Sequence, residues 1–336
     1  MDIESCNNEK MSDEHSHGYF PLEYFIDFLK FLKNNDDIIE IITYDDLPWG
    51  DDYDYERNYP QEYKNWKDQL NKGERDKRKI YVLLQHDVDS APERTMTVLR
   101  EEERLGIPSN VMIFNQRINR RYLQRTGELM YTDYELDYKY LRKIQDESGF
   151  VIGYHSNAFD QALFNMGKAM NIFEDDVKEL QKNFTIKFFS PHGGARSPEG
   201  LSNNILTIPD SLKSSLRWVH NRKKVRFDGE YSDGGINSPK RNPADRDLRD
   251  YVKKWQRGKR YRILIHPQYY NTPYKPSPRM RGTRWYDELL DFYSSRKPGS
   301  AWDGVKLDDE DRTLRERMSQ TIFSIKNMIR RNYVRK

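Results

Sequence analysis

Short apolar runs alternate with longer polar segments from residue 79 onward, and this alternation limits the possible folds more than any other feature of the sequence. The predicted strands cover residues 80–86, 109–116, 150–154, 186–190 and 261–265. Short, uninterrupted apolar runs are typical of buried strands. Strands separated by helix-length segments indicate βαβ units and parallel pairing. The sequence therefore predicts an α/β fold built on a parallel sheet.

Helix signals lie between and around these strands. After the first strand, Ser90 is a suitable N-cap, Glu93 completes a capping box, and Gly106 marks the end of the helix. The remaining elements are predicted as helices at 21–35, 134–149, 160–184 (one long or two short) and from about 309, and as a strand at 37–44. We expect residues 1–18 to form a disordered tail, because nothing there can form a core face.

Composition excludes several classes of protein. The chain has 336 residues, which suits one large α/β domain or two smaller ones. Its net charge of +3 gives no global attraction for nucleic acid. Cys6 is the single cysteine, which excludes an internal disulfide and a Cys-based zinc finger. No signal-peptide pattern and no apolar stretch of ~18–20 residues is visible, so we expect a cytoplasmic protein without a transmembrane segment.

Four of the seven histidines stand at the carboxyl ends of predicted strands. They are His86, His155, His192 and His266. Asp87 and Asp89 follow His86 directly. Sites in parallel α/β folds form where the carboxyl ends of strands meet. We therefore expect these side chains to converge.

The two acids have a spacing that suits metal chemistry. Asp87 and Asp89 are two residues apart, so in an extended chain they share one face, ~6.6 Å apart. One Asp with two His is a common open site for a divalent ion, with a position left for water. The ion lowers the pKa of that water, and a nearby carboxylate takes its proton. The structural alternatives are a loop- or helix-capping pair for the acids and a satisfied core histidine at His155.

Five motifs occur in order between about residues 80 and 270, namely LLQHDVDS, GFVIGYHS, FFSPHGG, YSDGG and RILIHPQYY. Together they resemble the polysaccharide deacetylase (NodB-homology, carbohydrate esterase family 4) superfamily, and the first motif resembles its HDVD-type subset. The resemblance implies a distorted (β/α) barrel over residues 79–336, with residues 19–78 as an N-terminal helix-and-strand extension packed on it. It also implies a divalent metal, with zinc as the first choice, and hydrolysis of an N-acetyl group on a sugar.

The resemblance also assigns roles to residues. It makes Asp87 the general base and His266 the general acid that protonates the leaving amine. It makes Asp89 and His155 metal ligands. Because Val88 separates the two acids, which of them is the base stays open.

The third metal ligand is a departure from the family pattern. Phe159 stands where the second motif usually carries its second histidine. We therefore expect the third ligand to be His192, with Asn157 and Asp160 as alternatives.

Two interpretations remain open at each of three further positions. The third motif lacks the usual arginine, and Arg196 is the nearest candidate for holding a carboxylate or an acetyl oxygen. Asp233 in YSDGG is a candidate catalytic residue, with a turn residue as the alternative. His266 precedes a proline and is either the catalytic acid or a structural residue.

Three functions remain in competition. The first is a de-N-acetylase acting on a free, nucleotide-linked or lipid-linked N-acetyl sugar during glycan or surface-polysaccharide synthesis. The second is a catalytically inactive relative that binds glycan or assists polysaccharide assembly, which the missing histidine at position 159 and the missing third-motif arginine before Pro191 favour. The third is a metal phosphoesterase, which commonly needs two metals and more ligands. No oligomeric state follows from the sequence.

Overall fold

The computed structural model describes residues 19–47, 49, 76–220, 226–235, 247–271, 288–295 and 300–307. The predicted tail at 1–18 and the predicted helix from about 309 lie outside the described residues.

Twelve strands and eight α-helices make up the regular structure of the described residues. The strands are β1 (Phe20–Pro21), β2 (Ile39–Ile41), β3 (Ile80–Asp87), β4 (Asn110–Ile113), β5 (Arg117–Ile118), β6 (Tyr131–Thr132), β7 (Val151–Ser156), β8 (Phe188–Pro191), β9 (Arg217–Trp218), β10 (Gly229–Ser232), β11 (Arg260–Ile265) and β12 (Tyr270–Asn271). The helices are α1 (Leu22–Asn34), α2 (Pro92–Leu105), α3 (Arg120–Thr126), α4 (Tyr138–Glu147), α5 (Ala158–Gln161), α6 (Met166–Gln181), α7 (Leu248–Val252) and α8 (Leu290–Ser294).

Eight of these strands form one parallel sheet. Its order is β10-β11-β3-β4-β7-β8-β9, with β2 also paired to β3. One edge of β3 pairs along most of its length with β11, and the other edge is shared between β2 at residues 80–82 and β4 at residues 85–87. The sheet curls into a half-barrel with flanking helices, consistent with a distorted (β/α) barrel. The predicted fold class is confirmed.

Side chains alternate between the two faces of the curled sheet, as they must in extended chain. On β3, Tyr81 and Leu83 point inward, whereas Val82 and Leu84 point outward toward α1. The inward apolar residues form an inner cluster: Ile42, Tyr44, Leu47, Tyr81, Leu83, Met112, Val151, Phe188, Val219 and Phe227. This cluster fills the barrel beneath the carboxyl ends of the strands.

Two larger clusters cover the outside of the sheet. One packs α1 against β3 and β11, through residues such as Phe25, Phe28 and Ile263. The other packs α6 against β7 and β8, through residues such as Phe173 and Phe189. The N-terminal segment therefore contributes both a helix to the outer layer and β2 to the sheet. The division of the chain at residues 18/19 and 78/79 stays a prediction.

One helix prediction is wrong, and another leaves two alternatives open. Helix α2 is preceded by Ala91, in the left-handed region at φ 52° with no side-chain cap, so Ser90 is not the N-cap. The end at Gly106 is confirmed, with φ 67°. The predicted segment 160–184 contains two helices, α5 and α6, because Leu163 and Phe164 both have positive φ and interrupt the helical path. No described helix is long and apolar enough to cross a membrane.

Candidate metal centre and active site

The carboxyl ends of β3, β7, β8 and β11 meet at one end of the half-barrel, where polar residues replace the inner cluster. Asp87 ends β3, and His155 lies near the end of β7. Asp89, His192 and His266 follow the ends of β3, β8 and β11. All five side chains are thereby delivered to one place, as the sequence predicts.

Asp89, His155 and His192 form a compact group. Asp89 Oδ1 lies 3.2 Å from His155 Nε2 and 3.6 Å from His192 Nε2. One ligand atom from each residue lies within 4.8 Å of the other two. One carboxylate and two imidazoles in this arrangement can hold a divalent ion and leave a coordination position open. This is the ligand set, with His192 as its third member, that the sequence predicts.

The His155 ring is oriented by β8. Its Nδ1 lies 2.8 Å from Ser190 Oγ and 3.2 Å from the Ser190 carbonyl oxygen. A proton on Nδ1 satisfies these acceptors and leaves the Nε2 lone pair facing the group. Burial opposes charge on the ring, but Asp87 and Asp89 outweigh it and raise the pKa of His155. The same two carboxylates favour a metal cation at that position.

The His192 ring is suited to binding a metal in its neutral form. Burial foremost lowers its pKa to about 4, despite the nearby Asp89 carboxylate. The ring lies edge-on to Phe114, with centroids 5.2 Å apart, and the backbone N–H donates to the Ser156 carbonyl at 2.8 Å. The lowered pKa favours the neutral imidazole, which is the form that binds a metal.

Asp89 is held ionised despite its burial, which alone would raise its pKa. His192, His155 and His266 hold the pKa of its carboxyl well below the usual range. Gln268 Nε2 lies 3.5 Å from Asp89 Oδ2, and Arg117 Nε donates to the Asp89 backbone carbonyl at 2.6 Å. The carboxylate therefore faces the two imidazoles as a charged group.

The two carboxylate oxygens of Asp87 have different contacts. Oδ1 accepts a hydrogen bond from Gln85 Nε2 at 2.7 Å and one from Ser190 Oγ at 3.5 Å. Oδ2 lies 3.8 Å from His155 Nε2. One oxygen is anchored to the protein, and the other faces the metal group.

His266 is paired with a fully buried acid. Asp233 accepts hydrogen bonds from the His266 backbone N–H at 2.7 Å and from Nδ1 at 2.5 Å. Burial opposes a charge on the ring, but Asp233 foremost raises the pKa of His266 to about 10. The other nitrogen, Nε2, lies 3.8 Å from Asp89 Oδ2. A protonated imidazole with Nε2 facing the metal group can donate a proton there.

One of the four strand-end histidines does not join the site. His86 points to the opposite face of β3 from Asp87, where Nε2 lies 2.8 Å from Glu102 Oε1 and the ring meets Phe25 edge-on. Both partners of the His86–Glu102 pair are fully buried. His86 belongs to the packing between β3 and α2.

The alternative third ligands have structural contacts instead. Asn157 Oδ1 accepts from Gln161 Nε2 at 2.7 Å, and its Nδ2 donates to the Gln116 carbonyl at 2.9 Å. Asp160 accepts from the Ala195 backbone N–H at 3.1 Å. Both side chains help to fix the chain around the site.

Arg196 is not brought to the carboxylates. It is exposed, and its guanidinium donates to the carbonyl of Gly200 at 2.8 Å. Phe159, at the position of the missing histidine, is buried in the outer cluster on β7. Neither Arg196 nor Phe159 therefore places a polar group among the carboxylates and imidazoles of the site.

Sequence reasoning missed the polar residues that support the site. Gln85 directly follows the apolar run of β3 and Arg262 directly precedes that of β11, and these positions were the available signal. Ser190 directly precedes the PHGG turn, and Gln268 follows His266 by two residues. Nothing in the sequence distinguishes these last two from ordinary polar residues.

Comparisons with known proteins give one structural likeness. No family model matches the sequence, and no curated protein matches it. Among solved structures, the chain is similar to one titled "Crystal structure of a BA3943 mutant, a CE4 family pseudoenzyme with restored enzymatic activity", with a TM-score of 0.29 and 14% identity. The likeness covers 64% of this chain and 61% of that chain, so the chain spans less than two thirds of that structure's length. Membership of the polysaccharide deacetylase superfamily and of its HDVD subset stays a prediction from the motifs.

Proposed function

We propose that this protein is a metal-dependent hydrolase that removes the acetyl group from an N-acetylated amino sugar. The observation that carries the proposal is the convergence of Asp89, His155 and His192 within 4.8 Å, with Asp87 and His266 beside them. The order of the five sequence motifs supports the same chemistry. The substrate is a free, nucleotide-linked or lipid-linked N-acetyl sugar.

The donor set fits a divalent ion such as zinc. His155 presents Nε2 because Ser190 takes up Nδ1, His192 is neutral, and Asp89 is ionised. These are the ligand types and protonation states that zinc selects. A bound ion would polarise the acetyl carbonyl and lower the pKa of a water at its open position.

The protein groups then divide the proton transfers between them. Asp87 Oδ2 faces the metal group and accepts the proton of the attacking water. His266, protonated and held by Asp233 through Nδ1, donates from Nε2 to the leaving nitrogen. Breaking the C–N bond then releases acetate and the free amine.

An inactive glycan-binding protein is the second candidate. It is favoured by the buried Phe159 and by Arg196, whose guanidinium lies on its own loop rather than on a carboxylate. The phosphoesterase alternative has less support. The described residues offer one group of three metal ligands, whereas two-metal sites need more.

The test is elemental analysis of the purified protein, combined with acetate release from N-acetyl sugars of the three forms. We expect about one equivalent of zinc. The His155→Ala variant should lose the metal. The Asp87→Asn variant should keep the metal and lose all but a small residual rate of acetate release. His220→Ala is the matched control, because His220 is exposed and stacks on Trp218 at 5.5 Å.

Two results would contradict the proposal. Absence of metal even after loading with zinc would remove the basis of the mechanism. Metal binding without acetate release from any of the three substrate forms would favour the inactive glycan-binding protein.

A further inference from the structure

A buried amide stands directly behind the Asp87 carboxylate. Gln85 and Asp87 are two residues apart on β3 and share its inward face, with only 2% and 7% of their surfaces exposed. Gln85 Nε2 donates to Asp87 Oδ1 at 2.7 Å. The hydrogen bond holds the oxygen that faces away from the metal group and leaves Oδ2 facing it, 3.8 Å from His155 Nε2.

The orientation of the Gln85 amide is itself fixed. Gln85 Oε1 accepts a hydrogen bond from the Tyr44 hydroxyl and one from Arg262 Nη1 at 3.3 Å. Rotating the amide by 180° would place its NH2 against the guanidinium, which can only donate. It would also place the amide oxygen against the Asp87 carboxylate. Only the orientation with Oε1 toward Tyr44 and Arg262 and Nε2 toward Asp87 satisfies all three partners of the Gln85 amide.

Tyr44 and Arg262 have contacts besides those with Gln85, and Arg262 Nη1 also donates to the Tyr44 hydroxyl at 3.4 Å. Burial raises the pKa of Tyr44 to about 12, so its hydroxyl keeps the proton that it donates. Arg262 forms an ion pair with Glu230 on β10, donates to the Val219 carbonyl at 3.2 Å, and lies over the Phe227 ring. The guanidinium is therefore anchored independently of Gln85.

These contacts form a polar path through an apolar layer. The inner cluster around the path consists of residues such as Leu83, Met112 and Phe188. Burying an amide, a phenol and a guanidinium there costs free energy that methionine or leucine would not cost. The path ends at the carboxylate that faces the metal group.

We propose that Gln85 is a positioning residue for Asp87, and that Tyr44 and Arg262 act through Gln85. This inference rests on the proposed function, in which Asp87 accepts the proton of the attacking water. Without the hydrogen bond to Oδ1, the carboxylate can rotate and withdraw Oδ2 from that proton. The path from β11 thus supports the carboxylate that Arg196 does not reach.

The kinetic test uses the full-length, zinc-loaded protein and acetate release. We expect Gln85→Met to lower kcat by roughly 10- to 100-fold, with KM and zinc content within about twofold of the parent. Tyr44→Phe, which keeps the ring and removes one donor to Gln85, should lower kcat by a smaller factor. Tyr81→Phe is the matched control, because this inner-cluster hydroxyl accepts from the Asp76 backbone N–H instead.

The coupling to Asp87 is tested in a second background. In Asp87→Asn, the additional Gln85→Met change should cause no further loss of kcat, because the group that Gln85 positions has lost its role. Losses that multiply in the double variant would overturn the proposal. A change confined to KM or to zinc content would also overturn it.

Crystal structures of the parent and of Gln85→Met separate this proposal from the proposed function. We expect the Asp87 carboxylate of the variant to rotate or to occupy more than one orientation. If the parent releases no acetate but the carboxylate moves in the variant, the function is wrong and the positioning stands. If the parent is active and the variant keeps both its carboxylate orientation and its kcat, the positioning is wrong and the function stands.

Discussion

Ser190 and His155 face each other across the pairing of β7 with β8, with His155 Nδ1 2.8 Å from Ser190 Oγ. The serine hydroxyl also lies 3.5 Å from Asp87 Oδ1. One side chain therefore contacts both a proposed metal ligand and the proposed base. It accepts from the imidazole and donates to the carboxylate.

Ser190→Ala should weaken zinc binding by about 10- to 100-fold, because the His155 ring loses the nearer of the two acceptors of Nδ1 and keeps only the Ser190 carbonyl. The measurement is the zinc Kd by competition with a chelator. Ser156→Ala is the control, because the Ser156 hydroxyl bonds Tyr154 on the outward face of the same strand. Equal zinc affinities for the Ser190 variant and the parent would contradict the prediction.

His86→Leu should destabilise the fold without removing the metal. Glu102 would keep its hydrogen bond from Ser109 at 2.6 Å but lose its histidine partner in a fully buried site. Removing one partner of a buried pair costs about 3–5 kcal/mol of the free energy of unfolding. Urea denaturation measures this loss, and the double change His86→Leu with Glu102→Met should recover much of it. Loss of zinc from the folded single variant would place His86 in the site after all.

Gly153→Ala should cost about 1–3 kcal/mol of the free energy of unfolding by overpacking the inner cluster. A Cβ at this position would lie 2.3 Å from Met112 Sδ and 3.0 Å from the Phe188 carbonyl oxygen. The methionine can move, but the backbone carbonyl belongs to the sheet. Gly193→Ala is the matched control, because a Cβ there meets nothing within 4 Å. Thermal or urea unfolding that fails to separate the two variants would contradict the packing argument.

Asp160→Asn should stabilise the protein at neutral pH. Burial raises the pKa of Asp160 to about 6 from an ordinary value of 3.8, so the folded state disfavours its charge. The free energy of unfolding of the parent should therefore fall as pH rises from about 4 to about 6. That of the variant should not show this fall, because asparagine does not ionise. The advantage of the variant approaches about 3 kcal/mol at pH 7 and vanishes near pH 3 to 4. Asparagine keeps an acceptor for the Ala195 N–H, so the loop contact survives.

Urea denaturation of both proteins at pH 4 and pH 7 checks this expectation. A stability difference that is the same at the two pH values would show that Asp160 titrates normally in the folded state.

The convergence of the site was predictable because parallel strands bring their carboxyl ends to one edge. The face of the sheet on which each of these side chains lies was not predictable. All eight residues of β3 are buried, so the two faces of the strand do not differ in burial. Nothing in the sequence therefore shows that Asp87 points inward and His86 outward. Only the curl of the sheet, which depends on long-range pairing, separates them.

The start of α2 was mispredicted for a local reason, and a similar one separates α5 from α6. Ala91, Leu163 and Phe164 adopt positive φ although none is a glycine. Such conformations are imposed by the surrounding packing, and residue type gives no warning of them. Gly106, by contrast, ends its helix where the sequence predicts.

The sharing of β3 among three partner strands has a consequence for the order of folding. Asp89 follows β3, and the strands that lead from there to His155 and His192 follow one another in the chain as β4, β7 and β8. His266 and Arg262 arrive only with β11, whose pairing with β3 closes a far longer loop. Loop closure over that distance is slow. We therefore expect the three proposed metal ligands to come together during folding before His266 and Arg262 join them, so that the chain could bind an ion before its proposed acid is in place.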